Sequence, residues 1–376
     1  MIEKEVAELR RRFRPDKSNI THIRGCYVNE SGEIVAEFNQ ALSLLSQEEG
    51  EKLLALLRRA LSGALGKNLL DIPFTTAQVV DSEEHRLLMS LRDSSLRDEE
   101  AVSALFRRII EASAVEGNYL ILLARDAYDV PYRSRDGEEQ KDAGSEVFTY
   151  LLCALCPVKL TKSALGYYAH ENTFYNRQLD WLVSPPELGF LFPVFDDRAT
   201  NLYNALYYTR DTADNHSELV EALFKTQPPM PAALQKETFD TLLAETLAED
   251  CSLELVQAVH QELCERIEAH KESKEPAPLT LSKGALRGVL TSCGVERERS
   301  ERFEAACDEA FGSEADLRPQ NLVDAKQVEI RTGEVTIRVS PEYRDRVETR
   351  IINGVKYLLI RADGDVEVGG VSVQIL

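Results

Sequence analysis

The chain has 376 residues, 43% of them hydrophobic and 29% charged, and a formal net charge of −20. That length is more than one core usually serves, so two or three domains or subdomains are expected. The acidity argues against a free-standing duplex-DNA binder, the hydrophobic content against a disordered chain, and no apolar run is long enough to cross a bilayer.

The N-terminus, MIEKEVAELRRRFR, is charged from its third residue and lacks the apolar core of a signal peptide. The seven cysteines are odd in number and scattered, which suits reduced, packed thiols. A cytoplasmic protein with no membrane partner is expected. Ile2 to Phe13 is read as an amphipathic helix. Arg10, Arg11 and Arg12, with Arg14, make the most basic spot in the chain. A solvated helix end favoured by the dipole is the plainer reading, and Arg10, Arg11 and Arg12 are the candidates for nucleic-acid contact.

ITHIRGCYV and EIVAEF around NESG form a hairpin pattern. Ser46 and Glu49 fit a capping box before a helix with Leu53, Leu56, Leu57 and Leu61 in phase. LLDIPFTTAQVV reads as extended, Asp81 and Glu84 as the next helix start, and Asp98 as a third. NYLILLARDAY and VFTYLLCALCPVKL are nearly continuous apolar runs, expected as strands covered on both faces. With ELGFLFPVF and NLYNALYYT they are expected to form one mostly antiparallel sheet, followed by a helix capped by Asn215 and Glu218.

PPMP, Pro228 to Pro231, is the strongest break. Helical patterns follow, then β-rich segments with NG and GG turns from about Leu322. The expected fold is α+β, with helices packed around a central mostly antiparallel sheet, a helical connection and a β-rich C-terminal unit. The expected segments are 1–115 (hairpin and helices), 116–230 (central sheet, in one domain with the first), 231–312 (helical) and 313–376 (β-rich).

Several motifs invite chemistry. In FPVFDDRATNLYNALYYTRD the adjacent Asp196 and Asp197 suit a hairpin turn better than a metal pair, because neighbours on a strand face opposite ways. LSGALGKN departs from the Walker spacing, and Gly66 is read as a helix C-cap. Cys153 and Cys156 lie three apart on a strand, which puts them on opposite faces as buried thiols. His260 with Cys264, and His85 with Asp81, are weak metal or acid/base pairs. No catalytic motif is present, so no catalytic residue, metal or cofactor is assigned. The long polar loop between Tyr128 and Glu146 is the preferred place for a ligand. The candidate ligand contacts are Arg125, Tyr132, Arg133, Arg135, Arg198 and Arg210.

The phrases ITHIRGCYV, LGKNLLDI, QVVDSEEHRLLMSLRDS, EGNYLILLARDAYDVPY, ELGFLFPVFDDRATNLYNALYYTRD and MPAALQKETF resemble a bacterial family catalogued as a domain of unknown function, DUF4317. That resemblance implies a bacterial cytoplasmic protein and brings no activity or site. The order of elements is also similar to that of nucleoid-associated proteins of the NdpA/YejK type. The similarity is best at NLYNALYYTRDTADNHSELVEALF and LVDAKQVEIRTGEVTIRVSPEY. That family tends to carry a basic turn where this chain has Thr209, Arg210, Asp211 and Thr212.

The leading expectation is a non-enzymatic cytoplasmic binding or scaffold protein, with a nucleoid association implied by the second resemblance. Its partner is either nucleic acid, met through local basic patches, or another protein. One rival is an enzyme acting on a small or phosphate-containing substrate near the central hairpin, which requires His85, Asp126, Asp129, Asp196 and Arg198 to converge. The other is an acidic protein-interaction module.

Overall fold

The computed structural model describes residues 1–113, 115–133, 139–140, 146–177, 179–313, 315–364 and 366–374. They divide into two compact units, Met1–Pro231 and Ala232–Leu376. The first unit runs α1 (Glu3–Arg10), β1 (His22–Val28), β2 (Ile34–Ala41), α2 (Gln47–Arg59), β3 (Leu69–Pro73), α3 (Thr76–Asp81), α4 (Glu83–Asp93) and α5 (Glu99–Ala112). It continues with β4 (Tyr119–Val130), β5 (Tyr132–Arg133), β6 (Glu139–Gln140), β7 (Glu146–Leu160), β8 (Ala164–Tyr168), β9 (Thr173–Arg177) and β10 (Trp181–Val183). It closes with β11 (Leu188–Phe192), β12 (Val194–Asp196), β13 (Ala199–Asn201), β14 (Asn204–Thr209) and α6 (Ser217–Phe224).

The sheet has the order β2-β1-β4-β7-β11-β14-β3, with β10 paired to β7, and every neighbouring pair is antiparallel. Both of its faces are covered, which explains why the central strands are apolar throughout. Alternation splits each strand between two cores. Ile121, Leu123, Leu151, Cys153 and Phe190 join Leu88, Val102, Phe106 and Leu223 on one face. Leu122, Leu152, Ala154 and Cys156 join Val6, Leu9, Leu54 and Leu57 on the other. Each such side chain, fully buried, contributes roughly 1.5–3 kcal/mol of transfer free energy.

Local chemistry sets the helix ends. Ser46 and Glu49 form the capping box of α2, and Asp98 accepts from Ala101 N at the start of α5. Other expectations need correction. TTAQVV is α3, capped by Thr75 and Gln78, because that local box outweighs the β-propensity of the two valines. The cap of α4 is Ser82, which accepts from His85 N, while Asp81 pairs with Arg86 at 3.1 Å. Asn215 does not cap α6, because its side chain donates to Pro229 O at 2.6 Å. Nor does Gly66 cap α2, which ends at Arg59. With φ +74 it sits in a separate turn, and its N–H donates to Leu69 O.

Helix α1 is held to the sheet by polar contacts. Asp126 on β4 is 2% exposed, and it accepts from Arg12 Nε at 2.9 Å, Asn19 N at 3.0 Å and Tyr150 Oη at 2.8 Å. Burial and the neighbouring Asp126 charge push the Tyr150 phenol well above its ordinary value, so it stays a donor. The Arg12 guanidinium also lies 4.5 Å from the centre of the Tyr128 ring. Arg198 pairs with Glu8 at 3.3 Å and donates to Pro131 O at 3.0 Å, and the Met1 amino group pairs with Asp196 at 3.0 Å.

The second unit begins with α7 (Ala232–Leu247), α8 (Leu253–Ser273), α9 (Lys283–Ser292), α10 (Arg297–Phe311) and α11 (Pro319–Leu322). Phe239, Leu243, Leu263, Ile267 and Phe303 form its core, with Phe239 and Phe303 edge to face at 5.9 Å. Three hairpins follow: β15 (Val328–Arg331) with β16 (Thr336–Val339), β17 (Val347–Ile352) with β18 (Val355–Ile360), and β19 (Val366–Val368) with β20 (Val371–Val373). The protein is therefore α+β, with a large antiparallel sheet and a β-rich C-terminal region. Among the described residues no helix is long and apolar enough to cross a membrane.

Two outcomes follow from the packing. Replacing Asp126 by alanine leaves Tyr150 without its acceptor and Arg12 without its carboxylate, with only Ala127 O remaining to the guanidinium, and should cost about 3–5 kcal/mol in urea unfolding. The same change at the exposed Asp129 should stay within about 0.5 kcal/mol. A Cβ on Gly189 would stand 2.5 Å from the carbonyl oxygen of Cys153 on the neighbouring strand. Gly189→Ala should therefore lower stability by about 1–3 kcal/mol in the same assay.

Candidate functional site

Strand β4 changes character at Arg125. Up to Ala124 its side chains enter one core or the other, and beyond it polar residues begin. Arg125 follows Ile121 and Leu123 on the face that α4 and α5 cover, and α4 ends at Asp93. Thr149 and Val147 on β7 share that face, since they continue the alternation from Leu151 and Cys153. The end of α4 supplies Arg92 and Asp93, and β13 supplies Thr200. These six residues line an open cleft of about 410 Å³.

The cleft is short of acceptors. Arg125 Nη2 reaches Thr149 Oγ1 only at 3.5 Å, and Arg125 Nε is buried without a hydrogen-bond partner. Among the described residues no carboxylate pairs with Arg125. Arg92 is paired, donating from Nε to Asp93 Oδ1 at 2.8 Å. Among the residues lining the cleft, Asp93 is thus the single carboxylate facing two guanidinium groups, and its side chain is 59% exposed. An orphaned buried donor is costly, and a second cation beside it adds repulsion. A bound anion would relieve both. Guanidinium groups suit that task because their N–H donors match carboxylate and phosphate oxygens two at a time, and the threonine hydroxyls can add to the set.

The other residues singled out in the sequence are dispersed. Arg198 and Arg12 serve the α1 anchor on the opposite face of the sheet. Arg10 donates to Gly63 O at 2.9 Å and also to Leu61 O, and burial lowers its pKa. Arg11 and Arg210 are exposed. The side chains of Tyr132 and Arg133, and the whole of Arg135, lie outside the described residues.

The five groups required by the enzyme reading do not meet. His85 sits between Phe74 and Phe192, at 5.1 and 5.3 Å between ring centres, with Nε2 3.0 Å from Leu202 O. It belongs to the α4 side of the sheet, whereas Asp126, Asp196 and Arg198 bind α1 on the other side and Asp129 is exposed. Arg92 and Thr200 carry no distinguishing signal in the sequence. Thr149 had a faint signal, an alternation shared with Arg125, but only the strand register brings the two together.

Cys153 and Cys156 point into opposite cores. Burial raises the Cys153 thiol and pushes Cys156 up to about 12. Among the described residues no group of three or more His, Cys, Asp or Glu side chains could hold a metal ion. In native protein, iodoacetamide should label the exposed Cys251 and leave Cys26, Cys153, Cys156 and Cys307 unmodified. Peptide mass mapping checks this, with all seven reacting in denaturant.

A family model described as a domain of unknown function, DUF4317, matches residues 1–371. No curated protein matches the chain.

Proposed function

The chain belongs to the DUF4317 family, and we propose that it is a cytoplasmic, non-enzymatic binding protein that holds a small carboxylate- or phosphate-bearing anion in the Arg92–Arg125 cleft. The observation that carries this reading is Arg125, whose Nε is buried without a partner beside a second guanidinium. A guanidinium kept in that state is poised for an acceptor from outside, since no carboxylate among the described residues pairs with it. Thr149 sits within reach of the same group, and Thr200 lines the same cleft.

Calorimetric titration with inorganic phosphate, pyrophosphate and citrate tests the proposal. One site per chain is expected, and Arg125→Ala should weaken binding at least about tenfold, the scale of one lost charge-assisted hydrogen bond. The ligand-free variant should unfold at or above the native urea midpoint, because the change removes an orphaned donor. Equal anion binding by native protein and variant would sink the assignment.

The nucleoid association enters the same experiment as a competing outcome. With Arg10 and Arg12 engaged inside the fold, a nucleic-acid contact would fall on Arg11 and Arg210. Labelled duplex DNA whose binding falls steeply with salt, is lost in the R11A/R210A double variant and is unaffected by R125A would move the function to nucleic acid.

A further inference from the structure

Past Val158 strand β7 leaves the core. It pairs with β10, Thr161 N donates to Asp180 O at 2.9 Å, and the ribbon continues as the β8–β9 hairpin. In that hairpin Tyr167 stands opposite Phe174, with their rings 5.0 Å apart, and Leu165 shares their face by alternation. All three are open to solvent: Leu165 is 72% exposed, Tyr167 54% and Phe174 61%. A two-stranded ribbon with a bare apolar face is marginal by itself in water, so a third strand or a cover would stabilise it.

The backbone indicates the kind of cover. Among the described residues β8 pairs only with β9, so its other edge keeps free N–H and C=O groups. Exposed edges are usually protected by charge, by proline or by a bulge. Ala164–Tyr168, read ALGYY, has no charged residue and no proline, and its register with β9 is unbroken. Its lack of charge bears on the occupant. The chain carries −20 overall, so most approaches between two copies are repulsive. A strand without charge is where identical chains can meet without setting like charges opposite each other.

We propose that two copies of this chain join through β8, paired antiparallel about Gly166. A two-fold contact is self-complementary, so Leu165 of each copy would lie opposite Tyr167 of the other. The result is a four-stranded sheet with a β9 strand on each outer side. One of its faces gathers Leu165, Tyr167 and Phe174 from both copies. Gly166 places no side chain at the axis, and the large residues flank it. This association is independent of the anion cleft.

Sedimentation velocity on the full chain, over a wide concentration range and at two salt concentrations, is the first test. A dimer is expected, tighter at higher salt because screening weakens the repulsion of the remaining acidic surface. Leu165→Lys should raise the dissociation constant at least about tenfold, since it sets a charge against a desolvated apolar pair. At a concentration low enough for both proteins to be monomeric its thermal transition should match the native one, because the replaced side chain is exposed in the single chain. Placement on the axis is tested by G166C in a C251S background. Residues opposite each other on antiparallel strands have Cα atoms about 4.5–5.5 Å apart, within disulfide reach, so oxidation should give a covalent dimer on non-reducing gels. N176C on β9, in the same background, should give none. A strictly monomeric native chain, a dimer indifferent to Leu165→Lys, or a covalent dimer from N176C but not from G166C overturns the proposal.

Discussion

One carboxylate ties the first unit together. Asp126 sits on β4, one of the two strands of the longest ladder in the sheet, almost closed to solvent, and it accepts from a guanidinium, a backbone amide and a phenol. Each donor comes from a different place: the end of the first helix, the turn that leads into β1, and β7. A buried ion pair adds little net stability compared with apolar groups of the same shape, yet it is costly to satisfy in any other arrangement. Its effect here is to fix where α1 lies. With α1 in place, Val6 and Leu9 complete the core that includes Leu122 and Leu152. The contacts of Arg198 with Glu8, and of Asp196 with the Met1 amino group, then fall into line along the same helix.

The cleft on the other face arises from a mismatch of lengths. An α-helix advances about 1.5 Å per residue and a strand about 3.3 Å. The 11 residues of α4 therefore cover roughly 16 Å, while the 12 residues of β4 extend for roughly 40 Å. The strand outruns its cover. Where the cover stops, the side chains change from Leu123 to Arg125 and from Leu151 to Thr149, and a polar hollow forms at the helix end. The same mismatch on the α1 side is closed by the Asp126 network, so one face ends in a satisfied cluster and the other in an open one.

Much of this was legible in the sequence, for local reasons. Runs such as NYLILLARDAY declare strands covered on both faces, and the hairpin at FDDRA follows from the turn chemistry of adjacent aspartates, with Asp197 and Arg198 both at positive φ. The opposite facing of Cys153 and Cys156 needed only the two-residue period. Local signals also misled where they competed. Thr75 and Gln78 made a helix out of a stretch whose valines suggest a strand. The site was legible only in part, because an arginine's role depends on what the register sets beside it. Arg12 and Arg125 look alike in sequence, each an exposed-type residue at the margin of an apolar segment. One found Asp126 across more than a hundred residues, and the other found threonine.

The order of the strands has a consequence for synthesis on the ribosome. Strand β1 pairs with β4, and β3, although early in the chain, is an edge strand held by β14. The first helix likewise waits for Asp126. Contacts this distant in sequence carry a large loop-closure cost and form slowly. An emerging chain therefore leaves α1 without its anchor until β4 and β7 are made, and β3 without its partner until β14, ending at Thr209, has left the exit tunnel. Within the N-terminal third the β1–β2 hairpin can form at once, while β3 stays an unpaired edge until the last strand of the sheet is made, the kind of exposed apolar strand that makes a nascent chain prone to aggregate.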